Sequence, residues 1–119
     1  MVIFLYPLEQ IININNELFN YFNRNIYNMF LDGYCLEYHN ILKKIYPNSC
    51  MVLEKGKEHC ATLIDGFIYD VTGVRENKDF VLASDNDINF VNKFYKKFDN
   101  NIRKDLYFNI FGNSKTIKK

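Results

Sequence analysis

Three residues of this 119-residue chain combine into a recognisable chemistry: Cys35, His59 and Asp70. A cysteine thiolate is a strong nucleophile, an imidazole can take and return its proton, and a carboxylate can fix the tautomer and orientation of the ring. The nucleophile stands in DGYCLEYHNILKKIYP, the base and the acid in HCATLIDGFIYDVTG. The reaction that suits them is attack on the carbonyl of an amide or thioester-like bond. The acyl group is then passed to water or to an amine.

The elements that must position these residues are a hairpin and a helix start. Residues 58–64 and 67–71 read as two strands joined by Asp65-Gly66, a strong short-range hairpin signal. With those two residues as the turn, Ile64 faces Phe67, Leu63 faces Ile68, Thr62 faces Tyr69, Ala61 faces Asp70 and His59 faces Thr72. His59, Ala61, Leu63, Ile68, Asp70 and Thr72 then share one face, and Cys60, Thr62, Ile64, Phe67, Tyr69 and Val71 the other. His59 and Asp70 become diagonal neighbours with Cβ atoms about 6–8 Å apart. A register slip of a single residue would part them. A helix is expected from about Tyr34 or Cys35 to Tyr46 with the stripe Cys35, Tyr38, Leu42 and Ile45, and Pro47 ends it. The positive end of that helix favours thiolate at Cys35.

Around this centre the order is helices first, then a meander of strands, which predicts an α+β fold. Residues 2–6 read as a short strand or an extended lead-in. Apolar spacing at Leu8, Ile11, Ile12, Phe19, Phe22, Ile26 and Phe30 predicts one long helix, stopped by Asp32-Gly33. SCMVLEK is a strand, Gly56-Lys57 a turn, and residues 80–84 a further strand. Asp85 or Asn86 caps another helix carrying Ile88, Val91, Phe94, Tyr95 and Phe98. Residues 106–111 fit either helix or strand, and the tail 113–119 is expected to be flexible. The whole, 1–119, reads as one domain: N-terminal helices on an antiparallel sheet of three to five strands, closed by a C-terminal helix.

GYCLEYHNIL followed by EHCATLIDGFIYDVTG resembles the papain-like cysteine enzymes, closest to their transglutaminase-like branch and its small bacterial and phage relatives. The resemblance covers roughly residues 30–75. It rests on Gly33-Tyr34-Cys35 at a helix start, His59 opening a strand, and Asp70 ending the next strand before Thr72-Gly73. It implies a papain-like core and a Cys35–His59–Asp70 triad acting on a protein or peptide-like substrate as a peptidase, deamidase or acyltransferase. It requires no cofactor. For the oxyanion hole the candidates are Asn28 and Tyr34, beside the backbone amide of Cys35. His39 and Thr72 are expected to line the site, His39 facing solvent or lightly packed.

Other readings compete. A cysteine on an apolar stripe is commonly a small buried hydrophobe, and Cys50 and Cys60 are expected to be structural. Cys35, His39, His59 and Cys60 suggest zinc by residue type, but His59 and Cys60 point to opposite faces of a strand and no C-x-x-C knuckle is present, so no metal site is expected. The net charge of +1 points away from nucleic acid. With 48% hydrophobic and 17% aromatic residues, the chain is expected to fold. MVIFLYPLEQ lacks a basic leader region and no run reaches membrane-span length. Together with three cysteines, an odd number, this predicts a cytoplasmic protein with reduced thiols. The alternative to an enzyme is an inactive binding or inhibitor protein on the same fold, encoded by a phage or mobile element. An occluded Cys35, or an Asp70 turned from His59, would favour it.

Overall fold

The computed structural model describes residues 6–112. Residues 2–5 of the lead-in, and the tail 113–119, lie outside them. The architecture is α+β, as the order of periodicities requires. Helices α1 (Pro7–Phe22), α2 (Ile26–Leu31) and α3 (Cys35–Ile45) precede strands β1 (Cys50–Glu54), β2 (Cys60–Ile64), β3 (Phe67–Asp70), β4 (Gly73–Arg75) and β5 (Phe80–Leu82). Helices α4 (Asp85–Phe94) and α5 (Asn100–Phe111) follow. The five strands form one antiparallel sheet in the order β4-β3-β2-β1-β5.

The single long helix expected over residues 8–30 is two helices. Asn23 adopts a left-handed conformation (φ 51°) that ends α1, and the Asn25 side chain accepts the amides of Tyr27 and Asn28 to start α2. The Asn23 amide closes α1 on the Phe19 carbonyl and the Asn25 side chain opens α2, so the break is made by two short polar residues that a continuing apolar period hides. The inward stripe of α1 is Ile11, Ile14 and Leu18, while Leu8, Ile12 and Phe19 are exposed. The residues facing inward contribute about 1.5–3 kcal/mol each on burial, which offsets the poor helix propensity of the asparagines.

The hairpin follows the expected register, Ile64 opposite Phe67, Leu63 opposite Ile68 and Thr62 opposite Tyr69. Asp65 and Gly66 both take positive φ, 50° and 89°, the type I′ geometry whose twist matches that of the strands. Opposite faces of the sheet carry different cores. Ile64, Tyr69 and Val71 pack with α1, α2, α3 and α5, whereas Val52, Ala61, Ile68 and Phe80 cluster on the other side.

Other boundaries differ from the sequence reading. The strand after Asp70 was not expected: Gly73 pairs with Asp70 and Arg75 with Ile68 across the turn at Val71-Thr72. The cap of α4 is Ser84 rather than Asp85 or Asn86, with Ser84 Oγ accepting from the Asp87 amide and the Asp87 carboxylate accepting from the Ser84 amide. Of the stripe assigned to α4, only Val91 is buried within the helix. Phe94 is exposed, and Phe98 lies beyond the helix in the main core. The ambiguous 106–111 is the second half of α5. Among the described residues no helix is long and apolar enough to cross a membrane.

Candidate active site

Cys35 is the first residue of α3, where the amides of the opening turn lack intrahelical partners. It follows Gly33, whose φ of 124° suits only glycine and swings the chain from α2 into α3. Helix α3 lies against β2, the strand that begins at Cys60. The start of the helix therefore faces the start of the strand. The Cys60 amide donates to Cys35 Sγ at 3.3 Å, and the Cys60 thiol stands 3.6 Å from the same sulfur.

His59 sits immediately before β2, and its carbonyl accepts the Glu54 amide. Its Nε2 is 2.9 Å from Asp70 Oδ2, with both side chains almost wholly buried. The diagonal relation expected from the hairpin is thus present. Asp70 is held from several sides. Oδ1 accepts the amide of Thr72 at 2.9 Å and its hydroxyl at 2.6 Å, and Oδ2 also accepts from Arg75 Nη1 at 2.6 Å. Arg75 reaches on to Glu54 through Nη2 at 2.9 Å and lies over the ring of Phe80. The same Phe80 ring packs edge-on to His59. Strand β4 supplies Arg75 because a two-residue turn returns it to the face that carries Asp70.

The electrostatics follow from these contacts. The Cys60 thiol is the largest influence holding Cys35 below the ordinary thiol range; burial opposes it, and His59 and the Cys60 amide assist. Cys60 is correspondingly raised by Cys35 and by burial. Burial pulls the His59 ring down, but Asp70 and Cys35 outweigh it and leave the imidazole at about 9. Burial raises Asp70, yet His59, Thr72 and Arg75 bring its carboxyl to about 2. These directions favour the charged forms of Cys35, His59 and Asp70. The second ring nitrogen of His59, Nδ1, is buried with no hydrogen-bond partner among the described residues.

Of the remaining sequence candidates, Thr72 alone among the described residues hydrogen-bonds to Cys35, His59 or Asp70. His39 is buried rather than solvent-facing, because α3 is enclosed on nearly all sides. Its Nδ1 is 2.6 Å from Thr62 Oγ1, and burial, then Lys43, lowers it to about 4. Asn28 is exposed on α2, and its backbone serves the caps at the two ends of that helix. The Tyr34 ring stacks on Phe98 at 4.7 Å beneath Lys96. Thr72 touches the site through Asp70 alone. Sequence reasoning missed Arg75 and the role of Cys60. TGVR, with a glycine two residues before the arginine, was the available signal for the first. Among the described residues, no group of three or more histidine, cysteine or acidic side chains is arranged to hold a metal ion.

Cys35 itself is only 1% exposed. Leu36, Met51, Cys60 and Val91 pack around it, with Leu53, Ala83, Ile88 and Tyr95 at the edge.

Residues 11–111 match the family model described as Phage YunG-like protein, and the chain belongs to that phage-associated family. This corrects the resemblance to papain-like and transglutaminase-like enzymes. That resemblance rested on some 45 residues of helix start and hairpin, a local arrangement that different families can reach independently. No curated protein and no solved structure matches the chain.

Proposed function

We propose that this member of the Phage YunG-like family is a thiol-dependent acyl-transferring enzyme, with Cys35 as nucleophile, His59 as base and Asp70 as the group that orients the ring. The observation that carries the reading is the polarity of His59. Nε2 is committed to Asp70, buried Nδ1 has no hydrogen-bond partner among the described residues, and Cys35 Sγ accepts the amide of Cys60, the residue that follows His59.

In this reading the Cys35 thiolate attacks the carbonyl carbon of an amide, isopeptide or thioester-like bond. His59 gives its proton to the departing amine or thiol, leaving an acyl-thioester on Cys35. Neutral His59 then takes a proton from water or an incoming amine, which attacks the thioester and frees the thiolate. Asp70 stays ionised throughout, held so by Thr72 and Arg75, and keeps Nε2–H directed at itself. The substrate class is protein or peptide-like.

A second reading, a binding protein that never turns over, is supported by the burial of Cys35, whose sulfur no substrate reaches without movement of its cover. The two differ in alkylation by iodoacetamide, followed by mass spectrometry at each cysteine across pH. An enzyme requires Cys35 to label faster than Cys50 and Cys60 below pH 7, and His59→Ala to abolish that advantage. A native protein in which Cys35 stays inert while exposed Cys50 labels would exclude the catalytic reading and leave the binding one.

A further inference from the structure

We infer that Cys35 and Cys60 form a reversible dithiol–disulfide site, in which a peroxide oxidises Cys35 and Cys60 resolves it. The sulfurs are 3.6 Å apart, and the Cys60 thiol and amide both point at Cys35 Sγ. A disulfide has an S–S length near 2.05 Å, so the sulfurs need to approach by about 1.5 Å for the bond to form. The two residues start adjoining elements, α3 and β2, and are 25 positions apart, so the bond would tie helix to sheet. Both are nearly fully buried, which keeps the cysteines of other protein chains away from them, while Cys50 is exposed.

The steps balance. The Cys35 thiolate attacks one oxygen of hydrogen peroxide, breaking the O–O bond. This gives a Cys35 sulfenic acid and hydroxide, which a proton converts to water. The Cys60 thiol then displaces the hydroxyl of the sulfenic acid, forming the disulfide and a second water. Two thiols lose two electrons and the peroxide gains them. The preference of Cys35 for thiolate makes it the sulfur that attacks the peroxide. A proximal resolving thiol stops the oxidation short of the irreversible sulfinic and sulfonic acids. The bond would withdraw Cys35 from any acyl chemistry until reduced. The inference rests on the sulfur geometry and stands whether or not Cys35 proves to be an enzyme nucleophile.

The test is one equivalent of hydrogen peroxide on the native full-length protein. The remaining thiols are then alkylated under denaturation and the peptides mapped by mass spectrometry. The expected result is a peptide pair joining Cys35 to Cys60, with alkylatable thiols falling from three to one per chain and returning to three with dithiothreitol. The Cys60→Ser variant should instead accumulate a Cys35 sulfenic acid that dimedone traps. Wild-type protein that carries sulfinic acid on Cys35 with Cys60 still reduced would overturn the inference. So would retention of both thiols at peroxide levels that oxidise Cys50. Activity plays no part in the readout, so failure of the acyl-transfer reading is seen separately.

Discussion

His59 and Asp70 are eleven residues apart and joined by a 2.9 Å contact across a type I′ hairpin, each almost fully buried. The consequence is a pH dependence whose sign can be worked out. Between pH 6.5 and 9 the unfolded chain keeps its proton on the Cys35 thiol and has none on the ring. The folded chain reverses this, with Cys35 held low and His59 at about 9. The two states bind equal numbers of protons, so this pair contributes no slope to stability in that window. Cys35→Ala removes the thiolate but leaves Asp70. With Asp70 retained, the ring is expected to stay above its unfolded value, a contribution complete below pH 6.5 and lost as pH rises through the folded value. Urea unfolding of the variant should therefore show stability falling from pH 6.5 towards 9, while the wild type stays level. Parallel profiles would mean that His59 and Cys35 do not share a proton.

Arg75 gives an acid-side prediction. Asp70 at about 2 lies below its ordinary 3.8, so it contributes stability above pH 3.8 that is lost as pH falls through 2. Arg75→Met keeps an apolar stem beside Phe80 but removes one donor from Asp70 Oδ2 and one from Glu54. Arg75 is partly exposed, so solvent screening limits the loss to about 1–2 kcal/mol at pH 7. The difference from wild type should shrink as pH approaches 2 and as salt is added. A loss that is independent of pH and salt would assign Arg75 to packing alone.

What was legible in the sequence was what short-range rules specify. Asp65-Gly66 sets a turn, the turn sets the register, and the register places His59 near Asp70 on one face. Gly33 and Pro47 bracket α3 in the same local way. Features built on distant pairs were hidden. Cys60 looked structural because its partner Cys35 is 25 residues away on another element. Strand β4 is three residues long, too short to show a period, and Thr72-Gly73 read as the end of the hairpin. The break at Asn23–Asn25 escaped notice because Phe22, Ile26 and Phe30 continue a helical spacing across it. Burial of His39 depends on α3 being enclosed by both the sheet and other helices, which its own stripe does not state. The family was misread for a related reason: a helix-start cysteine and a hairpin are local devices, and membership is carried by residues 11–111 as a whole.

The same break yields a stability prediction. Asn25 Oδ1 accepts the amides of Tyr27 at 2.9 Å and Asn28 at 3.3 Å, and α2 is only six residues long. So short a helix cannot offset a lost cap internally. Asn25→Ala should cost about 1 kcal/mol. Asn23→Gly should be neutral or slightly stabilising, because glycine adopts the left-handed conformation without strain. Thermal unfolding of the two variants checks this, and equal losses would contradict the assigned cap roles.

Glu37 is the buried charge that holds the far side of the site, and it makes the most demanding prediction. Its carboxylate accepts the Phe98 amide at 2.8 Å and Arg103 through Nη2 at 2.8 Å and Nε at 3.3 Å; Arg103 also donates to the Phe98 carbonyl at 2.9 Å. Phe98 in turn stacks on Tyr34, the residue before Cys35. Removing the cation leaves a carboxylate with 2% side-chain exposure and one remaining backbone donor. Uncompensated burial of that kind costs about 3–5 kcal/mol, and the partial exposure of Arg103 places Arg103→Met near the lower end. Glu37→Gln in the same background removes the buried charge and should recover part of the loss, since a neutral amide is far cheaper to bury. Urea unfolding of the two single variants and the double supplies the coupling energy. Alkylation of Cys35 in Arg103→Met should accelerate relative to Cys50, because Phe98, which stacks on Tyr34 beside the start of α3, loses one of the two side chains that hold its backbone. Additive losses with unchanged alkylation would mean that Glu37 and Arg103 act independently and that the α4–α5 connection does not govern access to the thiol.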